Sequence, residues 1–212
     1  MTEECLPDCN LNVCGDSNLS PTEVCDEGAD DNVLEPGACA PDCSGFIETK
    51  EIAVAFADNG NLGGNPVSAA DGLCPAGFQA LIGVPGERQA ANAPYQANAV
   101  IDWPIKPFTH YVDEDGETVW ITDEVPLWGV RDGIPQDLVG PPYTGGVFGG
   151  TSASTGIRGD WTLNVSQNCQ SWSTAASGAS VSAGNSWTLD QYIDAGVTYN
   201  CDNVLALYCV EQ

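Results

Sequence analysis

Cysteine is the residue type with the clearest chemistry in this sequence. The chain of 212 residues contains ten cysteines and one histidine, His110. Zinc sites usually combine cysteine with histidine, whereas disulfides need only cysteine. The cysteine-rich, loop-rich and lysine-poor composition therefore predicts disulfides and an oxidising compartment. Since the acidic start Thr2–Cys5 lacks the apolar segment of a signal peptide, we expect the mature part of an exported protein, secreted or on the cell surface.

Acidic side chains dominate the charge balance. Thirty acidic residues stand against five basic ones, which gives a formal net charge of −25. Such a surface repels nucleic acid and anionic lipid, and needs screening by salt, divalent cations or a basic partner. No apolar stretch approaches the length of a membrane span. We therefore expect no nucleic-acid partner and no direct membrane insertion.

Residues 1–45 are the first predicted domain, a small cysteine-rich module. It has few large apolar side chains, so disulfides must hold it together. The pattern C-x-P-D-C occurs at 5–9 and again at 39–43, which indicates a partial repeat at 1–13 and a whole repeat at 14–43. The pairing of its cysteines stays open. These cysteines are Cys5, Cys9, Cys14, Cys25, Cys39 and Cys43.

The module also carries closely spaced carboxylate and amide oxygens, the hard ligands that calcium prefers. The candidate ligands are Asp16, Glu23, Asp26, Asp30, Asp31 and Asn32. No EF-hand spacing is present, so ordinary solvated turns are the alternative to structural calcium. The blocks CGD, E-x-CDEG and GAC-x3-C resemble the short Cys-rich repeats of myxobacterial surface proteins. The last block departs from that pattern, since residues 35–39 read EPGAC where GDGC is expected.

Residues 46–212 are the second predicted domain, and its apolar runs predict strands. The run Val204–Tyr208, between Cys201 and Cys209, predicts a strand buried on both faces. Strands are also predicted at 46–56 and 79–83, and a hairpin at 111–121. Its acidic residues at 113–117 are most simply a turn, with calcium binding as the alternative.

The connecting segments predict little regular structure. Ser68 is expected to cap a short helix over 69–74, and the Ala-, Asn- and Gly-rich stretch 84–99 predicts a long surface excursion. Tryptophans beside the strand-like runs are expected in or near the core, with a place on a ligand surface as the alternative. They are Trp120, Trp161, Trp172 and Trp187.

Four short blocks follow one another in the second domain. They are LGG…AADGLC…GFQALI at 62–82, VFGGT at 147–151, CQSWST at 169–174 and YCVE at 208–211. Together they resemble the endostatin-like branch of the C-type-lectin fold, in particular bacterial outer-surface domains of unassigned function. The resemblance implies an α+β domain with few helices, joined to the small disulfide-stapled module. It also implies the disulfides Cys74–Cys209 and Cys169–Cys201.

Ligand binding is the usual role of that fold. Calcium-dependent sugar binding uses an EPN or QPD loop and a WND triplet before the third cysteine, and none of these occurs here. Asn200, Asp202 and Asn203 remain as polar candidates for a ligand site. We therefore expect recognition or adhesion, with a glycan or a matrix protein as the partner.

Two other classes of function compete with recognition. The first is a structural subunit of an extracellular coat, filament or appendage that assembles from its own copies with calcium. The second is an enzyme, which we do not expect, because His110 is alone and the sequence has no nucleophile elbow, P-loop or dinucleotide fingerprint. No organic cofactor is expected either.

Overall fold

A computed structural model of the protein describes residues 14–28, 34–93, 96–128, 130–131, 134–135, 153–158, 160–183 and 197–212. The elements are β1 (Glu48–Ala57), α1 (Pro66–Asp71), β2 (Phe78–Ala80), β3 (Thr109–Val112), β4 (Thr118–Ile121), β5 (Val130–Arg131), β6 (Ile134–Pro135), α2 (Cys169–Trp172), β7 (Ser180–Ala183), β8 (Val197–Asn200) and β9 (Leu205–Glu211). The fold is a mostly-β mixed-sheet domain with two short helices and a small disulfide-stapled region before it.

A five-stranded sheet with the order β2-β9-β1-β3-β4 organises the domain. β9 pairs antiparallel with β1 on one side and with β2 on the other. β1 is parallel to β3, which forms an antiparallel hairpin with β4. The two-stranded ladders β5–β6 and β7–β8 lie outside this sheet. The predicted hairpin is confirmed, and Asp113 holds its turn by accepting hydrogen bonds from the backbone N–H of Asp115 and Glu117.

Strand β9 is buried on both faces, as its apolar sequence predicts. Alternate side chains enter two cores because successive residues of a strand point to opposite faces. Tyr208 and Val210 join one core, while Leu205 and Leu207 join the other. The first core is rich in edge-to-face aromatic pairs, including Trp128 with Tyr208 at 6.3 Å between ring centroids.

Four disulfides join the described residues, namely Cys14–Cys43, Cys25–Cys39, Cys74–Cys209 and Cys169–Cys201. The last two are the pairs that the family resemblance implies. Cys5 and Cys9 lie outside the described residues. This number of disulfides indicates an oxidising, extracytoplasmic setting. Among the residues that the structure describes, no helix is long and apolar enough to cross a membrane.

The stapled region leads directly into β1. The backbone N–H of Ile47 donates to the carbonyl of Ala38, and the N–H of Gly37 donates to the carbonyl of Ile47. Ile47 is buried at this junction. The proposed division of the chain into domains at 1–45 and 46–212 stays a prediction.

The described part of segment 84–99 is a surface excursion only in part: residues 85–87, 92, 96 and 98 are exposed, whereas others are buried. Val84, Ala90 and Ala91 are buried, and so is Arg88, which has no exposed surface. The guanidinium of Arg88 forms ion pairs with Asp71 at the end of α1 and with Asp102. It also donates to the carbonyl of Ala80 at 2.8 Å. This network compensates the desolvated charge and thereby draws the segment inward.

Helix α1 begins earlier than predicted. Asn65, not Ser68, is the N-cap residue, and its side-chain oxygen accepts from the backbone N–H of Ser68 at 3.3 Å. Pro66 occupies the first turn, where its fixed φ suits the helix and its missing N–H costs nothing. The helix ends at Asp71, three residues before Cys74.

Candidate ligand site at one end of the sheet

A cavity lies between the end of strand β1 and helix α1. Its volume is about 330 Å³. Five apolar residues and three polar ones form its wall. The lining residues are Phe56, Ala57, Asp58, Asn59, Asn61, Leu62, Ala69 and Leu73. We call this cavity the β1–α1 pocket.

Phe56 gives the pocket an exposed aromatic surface. The residue is 60% exposed, although it lies inside β1. Its cross-strand partner in β9 is Ala206, whose methyl group is too small to cover a phenyl ring. Leu73, at the other side of the pocket, is also exposed. An exposed aromatic ring beside polar side chains is a usual feature of a recognition surface.

The polar wall is the turn that follows β1. The side-chain oxygen of Asn59 accepts from the backbone N–H of Asn61 at 2.8 Å, and that of Asn61 accepts from the N–H of Gly63 at 3.1 Å. These local hydrogen bonds are typical of asparagine in turns. They leave the carboxamide N–H groups of both asparagines available to a ligand. Asp58 accepts no hydrogen bond from any residue that the structure describes, so its carboxylate is available too.

Two backbone hydrogen bonds fix this turn to the rest of the domain. The N–H of Gly60 donates to the carbonyl of Cys201, and the N–H of Leu62 donates to the carbonyl of Trp172, both at 2.8 Å. Gly60 also packs tightly against the Cys169–Cys201 disulfide, because a Cβ atom there would lie 2.3 Å from the Cys169 sulfur. The pocket is therefore built on a rigid support.

Helix α2 is an unusual part of that support. All four of its residues, 169–172, have positive φ between 51° and 61°, so it is a single left-handed turn. This conformation costs roughly 1–2 kcal/mol per residue outside glycine. The disulfide of Cys169 and the fully buried ring of Trp172, whose N–H donates to the carbonyl of Gly83 at 3.2 Å, hold it in place.

The three predicted ligand residues lie close to this support but do not line the pocket. Asn200, Asp202 and Asn203 are exposed around the turn between β8 and β9. The N–H of Asn203 donates to the carbonyl of Asn200 at 3.1 Å. Cys201, in the middle of this turn, is the residue that accepts from Gly60. These three residues stay a prediction for a ligand site, and the pocket beside them has no residue in common with that prediction.

Those calcium candidates that the structure describes accept hydrogen bonds from backbone N–H groups of the stapled region. The Asp26 carboxylate accepts from the N–H of Gly15, Asp16 and Gly28. Desolvation raises the pKa of Asp26, but hydrogen bonds from the backbone N–H of Gly28 and residues 15–17 outweigh it and lower that pKa below 3.8. Glu23 accepts from the N–H of Ser20 at 2.8 Å.

A cluster in the same region could hold a metal ion. Glu23, Asp26 and Cys43 place ligand-type atoms within 4.8 Å of one another. Cys43 is bonded to Cys14, so its sulfur is not the thiolate that metals prefer. The useful donors are therefore the two carboxylates. Asp16 lies nearby and its carboxylate accepts from the N–H of Asn18, while Asp30, Asp31 and Asn32 lie outside the described residues.

His110 is a buried packing residue on strand β3. Its two ring nitrogens lie 3.0 Å from the hydroxyl of Thr49 and 2.9 Å from that of Thr118. Burial lowers its pKa below 6.5, so the neutral ring is favoured. Trp161 and Trp172 are buried, Trp120 is partly buried, and Trp187 lies outside the described residues.

Comparison with known proteins places the pocket within a recognised sequence family. Residues 55–189 match the model of a family described as "Protein of unknown function (DUF1554)". This span contains every residue that lines the β1–α1 pocket. The stapled region and strand β9 lie outside it. No curated protein matches the chain.

Proposed function

The chain belongs to the DUF1554 family, whose function is unknown, and we propose that it is a non-catalytic recognition or adhesion protein of the cell surface. The β1–α1 pocket carries this proposal. It combines an exposed aromatic ring, an available carboxylate and two carboxamide N–H groups on a rigid turn. Such a set binds and orients a ligand. Its partner is a glycan or a matrix protein outside the cytoplasm.

A non-catalytic role agrees with the chemistry of the described residues. The pocket offers a carboxylate and carboxamides but no paired nucleophile and base among the residues described as lining it. His110 is engaged with two threonine hydroxyls on β3 and is 7% exposed. A general base must reach the proton that it removes, and a ring held in this way is poorly placed to do so.

We propose further that the domain has the C-type-lectin or endostatin-like architecture. Support comes from the buried last strand, whose Cys209 pairs with Cys74, and from the second disulfide, Cys169–Cys201. The pocket and the turn at 200–203 lie at one end of the sheet, where loops are free to vary without disturbing the core. Fold alone does not give function, so the pocket has to be tested directly.

A structural subunit of a coat or filament is the second candidate. The cluster of Glu23 and Asp26 favours it, because carboxylates of neighbouring copies of an acidic protein can share calcium. Calcium suits this cluster better than zinc, since the donors are hard oxygens and Cys43 is in a disulfide. Light scattering separates the two candidates: particles that grow in calcium and dissolve in chelator support a subunit, and a constant monomer supports recognition.

A binding array tests the recognition proposal. Labelled protein is applied to immobilised glycans and extracellular-matrix proteins, and the Phe56→Ala variant is compared with wild type. We expect a loss of about tenfold or more in affinity, because a central aromatic side chain often dominates a small interface. Phe46→Ala is the matched control, since Phe46 is 52% exposed and does not line the pocket. Equal binding by Phe56→Ala and wild type on every positive spot would reject the pocket.

A further inference from the structure

We propose that the ligand of the β1–α1 pocket is a basic polypeptide, one of whose arginine or lysine side chains enters the pocket. This inference rests on the proposed recognition function and adds the chemistry of the partner. Three features of the described residues carry it. The first is the large negative charge of the chain, and the second is the presence of Phe56 and Asp58 in one cavity. The third is that the side-chain oxygens of two asparagines already accept hydrogen bonds from the backbone.

The charge distribution favours a cationic partner. The chain has a formal net charge of −25 with only five basic residues. Arg88 is fully buried with two carboxylates, Lys50 lies 3.8 Å from Glu48, and the amino group of Lys106 donates to a backbone carbonyl. The exposed Lys106 and Arg158 keep their charge but are far outnumbered by acidic residues, so an acidic glycan or an anionic surface is repelled overall. A field of this sign steers cations towards the protein and repels anions.

Phe56 and Asp58 supply the two contacts that a basic side chain needs. An aromatic face attracts a guanidinium or ammonium group, and a carboxylate neutralises it. The ring of Phe56 is exposed and Asp58 accepts no hydrogen bond from the described residues. Both line the same cavity, whose volume of about 330 Å³ exceeds that of one long side chain. Arginine is favoured over lysine because its planar group is more weakly hydrated and stacks on rings.

The asparagines favour a polypeptide as the carrier of that side chain. The side-chain oxygens of Asn59 and Asn61 already accept backbone N–H groups. Their carboxamides therefore face a ligand as donors, and peptide carbonyls are the acceptors that every polypeptide provides. The fixed turn presents these donors beside the cation site, so little ordering is needed on binding.

The test compares two short Gly/Ser peptides. One carries spaced arginines, and the other carries the uncharged analogue citrulline at the same positions. Fluorescence anisotropy measures their affinity for wild type, Phe56→Ala and Asp58→Asn. Two matched controls change residues outside the pocket. Phe46→Ala removes an exposed ring, and Glu114→Gln removes an exposed charge. We expect the citrulline peptide, and each pocket variant with the arginine peptide, to bind about tenfold more weakly. The two control variants should bind like wild type.

Each other outcome overturns the inference in a distinguishable way. If Asp58→Asn and Glu114→Gln bind equally well, the charge of the whole surface attracts the peptide and the pocket does not. If arginine and citrulline peptides bind alike, the ligand is not a cation. If neither peptide binds but a glycan on the array binds in a Phe56-dependent way, the recognition function stands and its partner is not basic polypeptide. If Phe56→Ala affects no ligand at all, both proposals fail together.

Discussion

Arg88 and Asp71 form a bidentate ion pair, with Nη1–Oδ1 at 2.6 Å and Nη2–Oδ2 at 2.9 Å. Asp71 also accepts from the backbone N–H of Ala80 at 2.8 Å. One carboxylate thus joins the end of helix α1, strand β2 and the segment that carries Arg88. Because α1 and the residues after it supply Ala69 and Leu73 to the pocket, this ion pair positions one wall of the candidate site.

Replacing Arg88 tests the importance of that pair. Arg88→Met should lower the free energy of unfolding by about 2–4 kcal/mol, because it leaves Asp71 and Asp102 without their cation. Both carboxylates reach solvent in part, which keeps the loss at the lower end of the range for a broken buried pair. Urea denaturation measures the loss. The exposed Arg158 provides the control, and a loss no larger than that of Arg158→Ala would contradict the assigned role.

Gly60 tests the contact between the turn and the disulfide. In Gly60→Ala the added methyl group would collide with the Cys169 sulfur, so we expect a loss of about 1–3 kcal/mol in stability. Gly64→Ala is the matched control, because a Cβ atom there meets nothing within 4 Å. Calorimetry gives both melting temperatures. Similar values for the two variants would show that the turn is not packed as described.

The Cys169–Cys201 disulfide should protect the turn of the pocket. We expect the double variant Cys169→Ser with Cys201→Ser to speed hydrogen exchange at the amides of Gly60 and Leu62, which donate to Cys201 and Trp172. The matched control replaces Cys14 and Cys43 by serine, because that disulfide closes a loop of similar length. The sequence separation is 29 for Cys14–Cys43 and 32 for Cys169–Cys201. By lowering the entropy of the unfolded chain, each disulfide stabilises the folded state by about 3.5 kcal/mol, so the global effect of both removals is similar. Equal exchange in both double variants would exclude a local effect.

The lowered pKa of His110 predicts that the stability of the protein depends on pH. Its pKa is lowered by burial, so the folded state binds the proton less readily than the unfolded state does. The resulting contribution to stability is complete above about pH 6.5 and is lost as the pH falls towards the folded pKa. His110 is the only histidine, so an NMR titration follows it without ambiguity. A midpoint above 6.5 would contradict the buried, neutral ring.

Sequence alone predicted what depends on local pattern. The apolar run before Cys209 became strand β9, and the residues on either side of 113–117 became the hairpin of β3 and β4. The buried part of segment 84–99 was not predicted because Arg88 is buried with two aspartates that lie 17 and 14 residues away in the chain. Sequence spacing does not reveal such a network.

The pocket was missed for a related reason. Its wall comes from a strand end, a turn and a helix, and each of these looked ordinary by itself. The one available signal was Phe56, a large apolar residue just before the polar sequence DNGN. Whether its ring is covered depends on Ala206 in β9, which only the strand register reveals.

The central claim is that the β1–α1 pocket binds the partner. Hydrogen–deuterium exchange of the full chain, with and without the tightest partner from the array, tests it most directly. We predict slower exchange at residues 56–62 and 69–73, with the stapled region at 14–28 unchanged. Protection elsewhere, with 56–62 and 69–73 exchanging at their free rates, would contradict the claim.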